Sequence, residues 1–152
     1  MGKCMKRVSG LMVLAAVAIF ALYGCGGGGS SLSPPTVNIT GDWDVTETIT
    51  ESSGVCDPPG TTSHWSASAV QSGNDVTVTI TSGDLVGAVF TGTISGDKLN
   101  WTGSYPNSGG TLTVESSDVT ATNTTLSGTT NWSWSDGKLS CSGRTQITGT
   151  KS

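Results

Sequence analysis

One histidine, His64, is the only imidazole in the 152-residue chain. No serine, cysteine or further metal ligand is spaced around it as a nucleophilic or metal centre would require. A solvent-facing place on a strand accounts for it. The eleven carboxylates are scattered. Asp42, Asp44, Asp118 and the turn aspartates read as solvated polar-face groups, with weak Ca²⁺ coordination as the alternative. Glu47 differs, because it shares parity with Trp43, Val45 and Ile49 and so points inward if they do. A buried carboxylate needs a partner, so Glu47 either sits near a mouth of the fold or serves as the polar handle of a ligand cavity. The other side chains with chemistry to offer are aromatic: Trp65, Phe90, Trp101, Tyr105, Trp132 and Trp134. They either fill a core or line a pocket for a small apolar or ring-shaped ligand. The expectation is a protein that is not an enzyme and takes neither cofactor nor metal.

The elements that must position these residues are strands. Trp43, Val45 and Ile49 alternate with Asp42, Asp44, Thr46 and Thr48, and Val76, Val78 and Ile80 alternate with Thr77, Thr79 and Thr81. Period two marks half-buried strands. Six more are expected over His64–Gln71, Val86–Ile94, Lys98–Tyr105, Thr111–Ala121, Leu126–Trp134 and Lys138–Thr148, giving eight. Short connectors rich in Gly, Asn, Asp and Ser (Ser72–Asp75, Ser82–Asp84, Ser95–Asp97, Asn107–Gly110, Asn123–Thr124, Ser135–Gly137) supply hairpin chemistry. Strands joined so tightly are antiparallel neighbours, and no stretch has the helical pattern of a parallel crossover. An all-β, up-and-down antiparallel barrel of eight strands over residues 37–152 removes both sheet edges. A two-sheet sandwich is the alternative, but it calls for longer connections. Leu112 and Val114 have a parity that Val119 and Ala121 break, which predicts a β-bulge near Ser116 and Ser117.

Composition agrees with strands and excludes other classes. Apolar residues make up 34% and glycines number 22, which disfavours long helices. Three of the seven basic residues, Lys3, Lys6 and Arg7, lie in the first ten positions. Nothing beyond them forms the basic patch that nucleic acid requires. Met1–Arg7 is positive, Val8–Phe20 is apolar and small residues lead to Cys25. This is the three-part pattern of a secretory signal, with an apolar run shorter than the ~20 residues of a bilayer span. Leu22-Tyr23-Gly24-Cys25 resembles the bacterial lipobox. That resemblance implies removal of residues 1–24, lipidation of Cys25 and membrane attachment through the lipid. More than one acyl chain makes such attachment stable. Gly26 after the cysteine, rather than Asp, then suggests the outer membrane of a Gram-negative cell envelope. Residues 25–36 read as the lipidated cysteine and a Gly/Ser/Pro tether. What remains carries four basic and eleven acidic groups, a balance of −7.

Once Cys4 leaves with the signal and Cys25 takes the lipid, Cys56 and Cys141 are the remaining pair. In an oxidising compartment they are expected to form a disulfide. Cys56 follows the first strand and Cys141 lies in the last, so the bond requires the two ends of the meander to meet.

Gly41-Asp42-Trp43, opening the first strand, is similar to the G-x-W signature of the lipocalins and the wider calycin superfamily. The resemblance implies a ligand-binding barrel in which an Arg on the last strand, here Arg144, packs over Trp43 and helps shut one end. Arg144 has the opposite parity to Leu139, Cys141 and Ile147, so a regular last strand turns it outward. The expected function is an envelope lipoprotein whose lipocalin-like barrel binds a small hydrophobic ligand without catalysis. The alternative is a structural or interaction lipoprotein with a filled barrel. Asn38, Asn100, Asn123 and Asn131 each open an N-x-Ser/Thr triplet, as chance allows in so Thr-rich a chain.

Overall fold

Alternating apolar residues interrupted by turn residues fold here into eight strands, β1 (Gly41–Gly54), β2 (Thr62–Ser72), β3 (Asp75–Ile80), β4 (Val89–Ser95), β5 (Lys98–Asn107), β6 (Gly110–Ala121), β7 (Thr125–Ser135) and β8 (Ser140–Lys151). The computed structural model describes residues 31–152, so the expected signal segment, residues 1–24, and Cys25 lie outside the described residues. The strands pair in sequence order, all antiparallel, and β8 returns to β1 to close a barrel. The closing seam runs from Trp43↔Lys151 to Gly54↔Cys141.

Two-residue loops joining β2 to β3, β4 to β5 and β5 to β6 fix the up-and-down course. In the β5–β6 turn both Ser108 and Gly109 have positive φ, the twist that such hairpins favour. The inward parity breaks at the predicted bulge, whose extra residue is Glu115, one position earlier than expected: Val114 faces Trp132 and Ser116 faces Asn131. The same bulge shifts the β5–β6 register between Leu99 and Gly103. There the Ser117 hydroxyl accepts from Trp101 N (2.6 Å) and donates to Trp101 O (3.2 Å), replacing the lost ladder bonds.

The largest departures from the expected strand boundaries are in β1, β4 and β8. β1 runs on to Gly54 because a second irregularity, at Thr50, lets Glu51–Gly54 pair with Cys141–Arg144. β4 starts at Val89 rather than Val86, since Gly87 N bonds Ile80 O and Ala88 N bonds Leu85 O, turning Val86–Ala88 back over the barrel. β8 runs from Ser140 to Lys151, later at both ends than expected.

Ser33–Thr40 crosses the end of the barrel where β1 begins. Thr36 N bonds Gly96 O, Ser33 N bonds Ser95 Oγ, Asn38 N bonds Asn123 Oδ1 and Ile39 N bonds Gln71 Oε1. One segment thus ties together all three hairpins at that end. The largest fully buried side chains are Ile94, Ile147, Val76 and Val119. The opposite end carries the β1–β2, β3–β4, β5–β6 and β7–β8 connections.

Candidate functional site

Trp43 is 2% exposed and its Nε1 donates to Ile39 O at 2.8 Å, so the crossing segment and the first strand seal the end together. The cation over the ring is Lys151, whose Nζ lies 5.5 Å from the ring centroid and donates to Asn38 O at 3.1 Å. Arg144 does not take that place. Its side chain is exposed and donates to Thr129 Oγ1 at 3.2 Å, because its even position faces out of β8. Lys151 shares the inward parity of Ile147, the sequence signal that could have found it.

Beyond this plug the interior opens into a cavity of about 440 Å³ that reaches the other end of the barrel. Trp65, Phe90, Trp101 and Trp132 line it, with Trp43 at its floor and Glu47 on its wall. Tyr105 and Trp134 are not lining residues. The Tyr105 hydroxyl donates to Val86 O at 3.0 Å and braces the β3–β4 connection. Trp134 Nε1 donates to Asn107 O at 2.9 Å, which holds its ring at the rim.

Ala67 and Ala69 line the cavity, whereas two glycines of the inner face seat rings. A Cβ at Gly103 would stand 2.6 Å from Phe90 Cδ1, and one at Gly143 would stand 2.5 Å from Trp132 Cζ2. Each glycine lets an aromatic ring from the next strand lie flat on its backbone. The cavity is what remains in the middle.

Its polar groups are few. Glu47 is half-buried and accepts from Ser63 Oγ at 3.1 Å, while Thr130 and Thr145 satisfy one another across β7 and β8 at 2.5 Å. His64, exposed at the rim, bonds Thr46 Oγ1 through Nδ1 at 2.9 Å. Asp57 and Asp84, from the β1–β2 and β3–β4 connections, stand at the opening. Ser63, Asp57, Asp84, Leu85 and the Thr130–Thr145 pair join the site through tertiary placement. Alternation alone picked out Glu47 and the rings. Among the described residues no three His, Cys, Asp or Glu side chains gather as metal ligands.

Cys56 and Cys141 are disulfide-bonded, with Cα atoms 5.7 Å apart. The bond joins the β1–β2 connection to β8 beside the open end. On the β7–β8 turn, backbone N–H groups of Leu139 and Lys138 donate to Asp136 Oδ1 at 2.7 and 2.8 Å and hold its carboxyl below the usual range. Comparison of the chain with protein-family models, with curated proteins and with solved structures finds no match.

Proposed function

We propose that this chain is a cell-envelope lipoprotein whose barrel holds a small apolar ligand without transforming it. The single observation behind this reading is the cavity of about 440 Å³, closed at one end, open at the other and walled by aromatic rings. Its size lies within the range of small-molecule pockets, which combine apolar walls with a few placed polar groups. An eight-stranded up-and-down barrel opening on Gly41-Asp42-Trp43 is compatible with lipocalin-like binding. The lipobox-like run at Leu22–Cys25 supports anchoring by lipid, with the outer membrane of a Gram-negative cell as the proposed location. Ser33–Thr40 crosses the closed end of the barrel, opposite the mouth.

Titration of the full chain with a neutral naphthalene probe tests the reading. Quenching of tryptophan fluorescence is expected to saturate at one probe per chain, and Trp132→Phe is expected to weaken it. Unsaturable quenching would sink the ligand-carrier reading. Anchoring is tested separately by palmitate labelling, which Cys25→Ala is expected to abolish.

A further inference from the structure

Apart from the rim imidazole of His64, the ionisable groups lining the cavity are all carboxylates. Among its lining residues are three carboxylates, Glu47, Asp57 and Asp84, and neither a lysine nor an arginine. Glu47 is placed on the wall, half-buried, with one hydrogen bond from Ser63. A carboxylate oxygen accepts more than one such bond, and the second Glu47 oxygen has no protein donor among the described residues. Asp57 and Asp84 are exposed and flank the opening. Four tryptophans and one phenylalanine line the same space, and the negative face of an aromatic ring attracts a cation. The chain outside the signal segment carries a balance of −7, so its wider field has the same sign. Lysine does reach the barrel interior once, at Lys151, but there it lies over Trp43 and bonds Asn38 at the sealed end.

We infer that the ligand is a cationic amphiphile, an apolar or ring-shaped body carrying an amine or quaternary ammonium group. This rests on the ligand-carrier reading above and adds the ligand's charge to it. The apolar body lies among Trp65, Phe90, Trp101 and Trp132, and the cationic group meets Glu47 with Asp57 and Asp84 outside it. An anionic ligand such as a free fatty acid would bring its carboxylate against three others with no lysine or arginine to receive it, the only basic group among the lining residues being the exposed rim imidazole of His64.

Three probes with one naphthalene body decide this: one neutral, one bearing trimethylammonium and one bearing sulfonate, each titrated into the full chain with tryptophan quenching as readout. The ammonium probe is expected to bind at least about tenfold tighter than the neutral one, a difference of about 1.4 kcal/mol. The sulfonate is expected to bind weakest. Glu47→Gln is expected to remove most of the ammonium probe's advantage while leaving the neutral probe's affinity in place. Asp84→Asn, at an exposed site that leaves the core untouched, is expected to remove a smaller part. Equal binding of ammonium and neutral probes, or preference for sulfonate, overturns the charge assignment and leaves the carrier reading standing. Failure of all three to saturate overturns the carrier reading beneath it.

Discussion

The two ends of this barrel are made by the same eight strands and differ in what crosses them. At one end Ser33–Thr40 bonds to three successive hairpins, Ile39 and Trp43 are buried to 2% exposure, and Lys151 covers the indole. At the other end four connections stand around a mouth, and Val55, Val86 and Leu139 are more than half exposed. The difference teaches that strand closure does not shut a barrel. Pairing β8 to β1 removes the sheet edges, but filling an end takes a segment in series with the strands and large side chains to meet it. The sealed end serves stability and the open end serves the cavity, with the Cys56–Cys141 disulfide as a crosslink beside the mouth.

That division can be broken by substitution. The largest effect is expected from Cys141→Ser, which opens a loop of 85 residues at the mouth. The chain-entropy model assigns such a crosslink about 4 to 5 kcal/mol, to be read from urea unfolding of the oxidised wild type against the variant. A loss of under about 1 kcal/mol would show that the β1–β8 seam holds the mouth alone. Next come two matched tryptophan truncations. Trp43→Ala at the sealed end is expected to cost about 3 to 5 kcal/mol, as buried aromatics do. Half-buried Trp132→Ala is expected to cost less than half of that while abolishing probe quenching. Equal losses would erase the distinction between plug and cavity.

A smaller test sharpens which cation belongs to the plug. Lys151→Ala is expected to cost about 0.5 to 1 kcal/mol, the range for a cation over a ring face when the cation itself still reaches solvent. Arg144→Ala, on the outer face of β8, is expected to fall within about 0.5 kcal/mol of wild type. The reverse order would restore Arg144 as the closing residue. The smallest effect concerns Asp136 at the open end. Its carboxyl is held below its ordinary value of 3.8 by backbone donors from Leu139 and Lys138. A depressed carboxyl contributes stability that is present above the unfolded value and lost as pH falls through the folded one. Urea midpoints are therefore expected to drop slightly below pH 3.8, and Asp136→Asn is expected to flatten that part of the curve. An unchanged acid slope would remove Asp136 from the account.

Much of this fold was legible because β-structure writes itself in a two-residue period. Trp43, Val45 and Glu47 face inward as their parity requires, and turn residues marked the hairpins. The break between Val114 and Val119 announced a bulge to within a residue of Glu115. Where local signals conflicted, the pattern misled. Val86–Ala88 looks like the start of a strand, yet bonds from Gly87 to Ile80 and from Ala88 to Leu85 curl it into a connection. Ser33 and Thr36 lie in a run that reads as tether, but they bond to the barrel. Arg144 matched a motif by residue type while its parity already turned it outward.

Alternation and turn chemistry, read along the chain alone, determined the strand number and their antiparallel order and favoured closure over a sandwich, whereas the Cys56–Cys141 pairing was expected only with Cys4 and Cys25 set aside by the lipobox resemblance. Strand number and order follow from neighbours a few residues apart. Tertiary structure alone decided that a void survives inside and that Tyr105 and Trp134 brace the rim instead of lining the void. The space left in a barrel is the difference between its bore and the side chains from eight strands at once. No single strand's sequence carries that sum.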